Sequence, residues 1–170
     1  MTKAHESPEE NSGLEITKAE ADHVESRYIL FQLGEELFGT QLLGVKEIVE
    51  PLSHKPIPNS KKHFMGMINL RGQILGVIDL RKRLGNEIKE EPSAFIVCET
   101  EDGTALAAAV DKVVAVGSIG ADEIDQDPKI TSEIPTRFLK GVGKYKEDLV
   151  IIIDLKELLM SEDLLILRAS

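Results

Sequence analysis

Two short passages of this chain repeat each other. Val77-Ile78-Asp79-Leu80, followed by Leu84, is answered by Ile152-Ile153-Asp154-Leu155, followed by Leu158. A Phe and a Gly precede each passage, Phe64/Gly66 in the first and Phe138/Gly141 in the second. A further match lies upstream, where Tyr28–Leu33 corresponds to Phe95–Thr100 and each runs into an acidic turn and a second apolar run. The order is A-B-A′-B′, an internal duplication of about 70 residues. Short apolar runs separated by turns restrict such a chain to two similar small β units. About five strands per unit is too few for a sandwich but enough to close a small barrel, and closure removes exposed strand edges. The expected fold is all-β: two five-stranded β-barrels packed side by side.

The rest of the chain fits this plan. Met65–Leu70 and Gln73–Ile78 flank Arg71-Gly72 as a β-hairpin, and Leu149–Ile153 is the strand that leads into the second repeat passage. Leu42–Val49 reads equally as strand or short helical turn, and Pro51–Pro58 as loop. Asp79 and Asp154 each stand where a helix N-cap belongs, so a short helix is expected after each. Residues 1–26 carry seven acids and two lysines with few branched apolar residues, which predicts an acidic flexible tail. The folded part is then 27–160, two intertwined barrel subdomains of roughly 27–90 and 91–160, with a C-terminal helix over 161–170 opened by Ser161-Glu162-Asp163.

Charge and composition narrow the function. The net charge of −10 repels phosphate backbones and argues against a nucleic-acid partner. No stretch approaches the ~20 apolar residues of a membrane span, and the polar N-terminus lacks a signal-peptide core, so a cytoplasmic protein is expected without direct membrane insertion. His5, His23, His54 and His63 lack metal-ligand spacing, and the single Cys98 alternates within an apolar strand as a buried thiol would. Gly141-Val142-Gly143-Lys144 lacks the glycine spacing and Ser/Thr of a phosphate loop. Asp79 and Asp154 suggest a carboxylate dyad, but the Leu spacing after each reads as helix capping instead. No catalytic residue, metal or cofactor is expected. Arg81-Lys82-Arg83 reads as a solvated helix face.

Asn69-Leu70-Arg71-Gly72 is the most informative stretch. Strand alternation puts Met65, Met67, Asn69 and Arg71 on one side, which places Arg71 to reach an acid on a neighbouring element. Glu47, in Val45-Lys46-Glu47-Ile48, is the natural candidate, and an Arg–Glu pair would pin the groove between the two elements.

On these residues the chain resembles the CheW-type adaptors of bacterial chemotaxis. The resemblance rests on Phe31-Gln32-Leu33-Gly34, Phe38-Gly39, Val45-x-Glu47-Ile48, Gly66-Met67-Ile68-Asn69-Leu70-Arg71-Gly72, Val77-Ile78-Asp79-Leu80-Arg81, Val110-Asp111-x-Val113, Phe138-Leu139-x-Gly141 and Ile153-Asp154-Leu155. It implies that the barrels are SH3-like and that the protein is a non-enzymatic scaffold. Such a scaffold couples the cytoplasmic tips of methyl-accepting chemoreceptors to the regulatory domain of a CheA-type histidine kinase, within membrane-associated receptor arrays. The alternative is an adaptor of the same type in a non-flagellar pathway of surface motility or gene control. The receptor-binding positions it implies are Val45, Glu47, Ile48, Gly66, Asn69, Leu70 and Arg71, and the kinase-binding positions are Phe95, Val113 and Val116. Gly76, Ala107 and Lys61-Lys62 depart from the family's usual pattern.

Overall fold

The computed structural model describes residues 26–129 and 134–161. The acidic tail and the C-terminal helix expected over 161–170 therefore lie almost wholly outside the described residues. Eleven strands and two short helices follow one another as β1 (Arg27–Leu33), β2 (Glu36–Gln41), β3 (Glu47–Val49), β4 (Phe64–Leu70), β5 (Gln73–Asp79), α1 (Leu80–Arg83), β6 (Ala94–Glu99), β7 (Ala105–Val110), β8 (Lys112–Ser118), β9 (Ile124–Asp125), β10 (Leu139–Tyr145), β11 (Asp148–Ile153) and α2 (Leu155–Ser161). The ambiguous stretch from Leu42 resolves into both readings, a 3-10 turn at Leu42–Gly44 and then β3. The fold is the all-β, two-sheet arrangement expected, with its short helices after Asp79 and Asp154.

Strand order shows how the duplication is used. One sheet runs β8-β1-β2-β11-β10-β9 and the other β3-β6-β7-β5-β4. In each, a hairpin from one repeat lies parallel to a hairpin from the other, through β11 on β2 and β5 on β7. The chain closes each sheet with one bent strand. β8 pairs with β1 and, past the bend, β9 pairs with β10. Likewise β3 pairs with β6, and Lys55 then bridges Met67 of β4. Counting the bent strand once leaves five strands in each barrel.

The two sheets interleave along the chain and do not part at residue 90. The strands of the second sheet occupy one continuous span from β3 to β7, and those of the first lie on either side of it. The repeats exchange their first hairpins, so the halves of the sequence are not the halves of the fold. The Phe–Gly correspondence also shifts by one residue. Gly66 pairs with Val77 and Gly141 with Ile152 at matching bulges, and the residues preceding those bulges are Phe64 and Leu139. Asp79 N–H donates to the carbonyl of His63 as Asp154 N–H donates to that of Phe138, so Phe138 corresponds to His63.

The apolar side chains form three clusters. Tyr28, Leu30, Val150 and Ile152 fill one barrel, and Ile68, Leu75, Val77, Phe95 and Val97 fill the other. The largest cluster belongs to neither. Ile29, Phe31 and Leu33 of β1 meet Ile96 and Cys98 of β6, with Leu106, Ala108 and Val110 of β7, and Phe138, Leu158 and Leu159 complete it. Strands β1, β6 and β7 are thus covered on both faces, which is why they read as continuous apolar runs. Burying one large aliphatic or aromatic side chain contributes roughly 1.5–3 kcal/mol. Exposing this layer by parting the barrels would exceed the whole stability of an ordinary domain, roughly 5–15 kcal/mol.

Beside that layer sits a buried ionic cluster. Asp79 caps α1 by accepting from the backbone N–H of Arg81 at 3.1 Å, and it holds the Arg81 guanidinium through Nε and Nη2, both at 3.0 Å. The Nη1 of Arg81 donates to the carbonyl of Glu90 at 2.5 Å and to Asp111 Oδ1 at 2.9 Å. Asp111 Oδ2 in turn accepts from the backbone N–H of Gly34, in the β1–β2 turn, at 2.6 Å. Arg81 is only 3% exposed, which corrects its reading as part of a solvated face; Lys82 is the exposed member of the triplet and Arg83 is half-buried. Burial alone would lower the Arg81 pKa, and the hydrogen bonds that the guanidinium donates to Asp79 and Asp111, with the charge of both acids, outweigh it, so the pKa lies above the ordinary value. Asp154 caps α2 through the N–H of Glu157 at 3.0 Å, so both acids of the suspected dyad are engaged by their own helices.

Replacing one member of this cluster strands the others. Arg81→Met leaves Asp79 buried without its cation and is expected to cost about 3–5 kcal/mol. A urea titration followed by circular dichroism checks this, and the double change Asp79→Asn/Arg81→Met should cost less than Arg81→Met alone.

Candidate functional site

The β4–β5 turn carries an exposed charge on the second barrel. Arg71 stands in the left-handed region with φ 52°, followed by Gly72 at φ 87°, the pattern of a two-residue hairpin turn. Asn69 Oδ1 accepts from Gly72 N–H at 2.8 Å and holds the turn shut. Because the barrel curls, β3 and β4 approach each other from opposite edges of the sheet, and the guanidinium of Arg71 pairs with the carboxylate of Glu47 across that seam. Below it, Lys55 and Met67 exchange two backbone hydrogen bonds, each of 2.9 Å. A second ion pair, Lys46 with Glu99, lies beside β3. The Arg71 side chain is 70% exposed and that of Glu47 is 23% exposed, so the pair contributes little to stability, at most about 1 kcal/mol. It selects the shape of the surface.

Gly66 has a separate and stricter reason to be glycine. It sits in the bulge at φ 141°, and a Cβ there would lie 2.2 Å from the carbonyl oxygen of Lys55. Gly141 repeats the arrangement at φ 150°, with Asp125 O at 2.5 Å. Each glycine lets the bent strand close its barrel.

The seven positions implied for receptor binding thus gather around one seam but have different parts. Glu47, Ile48, Asn69 and Arg71 reach solvent, Val45 packs half-buried against the shared layer, Leu70 packs onto the barrel interior, and Gly66 makes the closure. Ile74, 59% exposed and paired in register with Asn69, adds an apolar side chain that the motif reading did not include. The alternation of Gln73–Gly76 carries that signal.

The three positions implied for kinase binding do not form one face. Phe95 is 1% exposed and points into the second barrel, against Val97 and Ala107, so it is not available for contact. Its strand is buried on both sides, and either orientation would have placed it inside. Val113 and Val116 lie on β8 in the other barrel; Val113 is half-buried against the shared layer and Val116 is exposed.

Among the described residues no three His, Cys, Asp or Glu side chains gather as a metal ion would require, and no helix is long and apolar enough to cross a membrane. Burial pushes the Cys98 thiol up to about 12, so it stays protonated at neutral pH.

Two small barrels locked by a common core, presenting a braced turn and isolated exposed apolar side chains, define a protein-binding module of SH3-like barrels. The CheW-like domain family matches residues 27–163, and the chain belongs to that family. The chemotaxis protein CheW of Treponema pallidum is 30% identical over 142 residues, covering 80% of this chain and 83% of that protein. The CheW of Klebsiella aerogenes is 28% identical over 150 residues, covering 88% and 90%. The crystal structure of the scaffolding protein TtCheW from Thermoanaerobacter tengcongensis superimposes with a TM-score of 0.71 at 34% identity, covering 81% of this chain and 90% of that one.

Gly66→Ala is expected to lower stability by more than 2 kcal/mol, roughly, and Gly141→Ala similarly, because backbone rather than a flexible side chain meets the new methyl. Urea midpoints of both variants check this. For Cys98, the raised folded pKa gives stability that is whole below about pH 9 and is lost as pH rises toward about 12. Cys98→Ser should remove that alkaline loss from the pH dependence of the urea midpoint, and native protein should react with a thiol reagent at pH 8 only at its rate of opening.

Proposed function

We propose that this chain is a non-enzymatic scaffold that couples the cytoplasmic tips of methyl-accepting chemoreceptors to the regulatory domain of a CheA-type histidine kinase, working in the cytoplasm at receptor arrays. The observation that carries the reading is the Arg71–Glu47 pair across the seam of the second barrel. It braces a turn whose neighbours Ile48 and Ile74 are exposed, an apolar surface with a fixed polar rim of the kind that receives a helical partner. The receptor face is then Glu47, Ile48, Asn69 and Arg71, supported from beneath by Val45, Gly66 and Leu70. Val113 and Val116 stay as the candidates for kinase contact, with Val116 the exposed one and Phe95 supporting the other barrel from within.

Coupling in such a protein needs no chemical step. A scaffold that binds two partners at separate faces of a rigid body raises the effective concentration of each for the other, and any preference for one state of the first partner is felt by the second. The shared layer and the Arg81 cluster make the two barrels one body, as this role demands.

Calorimetric titration against a receptor cytoplasmic fragment and against the kinase regulatory domain tests the assignment. Arg71→Glu is expected to weaken receptor binding at least tenfold and to shift the melting temperature by only a few degrees, since an exposed pair is worth about 1 kcal/mol or less. Val116→Lys is expected to weaken kinase binding and spare receptor binding. Normal receptor binding by Arg71→Glu sinks the receptor face, and an absence of binding to both partners by the unaltered protein sinks the function.

A further inference from the structure

The duplication gives the first barrel a counterpart of the Arg71 turn. Lys146, with φ 54°, opens the β10–β11 turn as Arg71 opens the β4–β5 turn. One strand further, Leu149 holds the place of Ile74, and Val142 faces Ile151 as Met67 faces Gly76. Both members of the first pair are exposed, Leu149 at 70%. The surroundings differ, however. Next to the turn a groove of about 1060 Å³ opens between the outer face of β2, β11 and β10 and the segment 84–86 that follows α1. Its apolar side chains include Leu149 and Val114, which is 47% exposed, and its rim carries Glu35, Glu36, Glu147 and Asp148. No Lys or Arg lines it, and none of these four carboxylates has a cationic partner among the described residues.

We propose that this groove is a docking site for a basic amphipathic segment of a partner polypeptide, away from the receptor face and adjoining the kinase candidates Val113 and Val116 through Val114. The argument is charge complementarity on an apolar surface. Four acids around one open cleft repel one another and focus a negative potential where apolar side chains are left in water. A polypeptide segment with Lys or Arg on one side and Leu or Ile on the other relieves both conditions together. An acidic segment is refused by the rim, and a purely basic one leaves Leu149 and Val114 in solvent. The groove is wide and open, which suits a chain segment rather than a small cation.

The test uses the full chain and a fluorescein-labelled synthetic peptide built of Leu-Lys-Lys-Leu blocks, with a Leu-Glu-Glu-Leu peptide as control, read by fluorescence anisotropy at two salt concentrations. Binding of the Lys peptide alone, weakened by salt, is expected. Glu147→Lys with Asp148→Lys should weaken it at least tenfold, and Glu147→Gln with Asp148→Asn at least threefold, with unchanged melting temperatures. Leu149→Asn, which leaves the charge untouched, should weaken it at least threefold. Glu101→Lys with Asp127→Lys, an equal charge change elsewhere, should alter it less than twofold. An equal loss in that last variant, or no loss in Leu149→Asn, overturns the proposal by showing attraction to net charge alone. Binding at least tenfold tighter after removal of residues 162–170 also overturns it, because the groove would then belong to the chain's own end. The receptor and kinase titrations read different variants, so either assignment can fail without the other.

Discussion

Three strands of this protein, β1, β6 and β7, are apolar on both faces, and the architecture follows from the need to cover both. Curling each sheet into a barrel covers one face. The other face is covered by the opposite barrel and by α2, so the two barrels share a layer larger than either interior. A chain that folded each half by itself would leave that layer in water. The exchange of first hairpins joins the two repeats through backbone hydrogen bonds inside each barrel, with β2 beside β11 in one and β7 beside β5 in the other.

The buried Arg81 belongs to the same constraint. At the junction of the barrels the chain must pass from β7 to β8, and its Asp111 is held between the guanidinium of Arg81 and the β1–β2 turn. A desolvated cation is tolerated there because Asp79 binds it at two nitrogens while Glu90 and Asp111 take the third. The network links the cap of α1 in one barrel to a turn of the other, and so fixes their relative placement. The surfaces assigned to partners inherit that rigidity, for the braced turn at Arg71 and the exposed side of β8 sit on opposite barrels of one body.

Much of the candidate site was legible because it is local. The Arg71-Gly72 turn follows from hairpin geometry and Glu47 was the natural acid on a neighbouring element, whereas Gly66 and Asn69 entered the site only through the family resemblance. What was not legible depended on contacts distant in sequence. Arg81 looks like Lys82 and Arg83 until Asp111 is brought to it. Phe95 was placed on the surface by the family resemblance alone, against a continuous apolar run that marks a strand buried on both faces. The two-residue β9 carries no periodic signal at all, since its pairing is set by the bend that precedes it.

The sequence by itself determined that the chain is two related β units, where its turns and caps fall, and that Arg71 stands at the apex of a hairpin. These rest on periodicity, steric limits at turns and the chemistry of single residues, all of which act within a few positions. Only the tertiary structure decided which hairpin joins which barrel, that Arg81 lies inside, and that an acid-rimmed groove stands open beside Leu149. Equivalent hairpins in a duplicated chain have nearly equal local preferences, so the choice between them is made by the apolar layer they bury together.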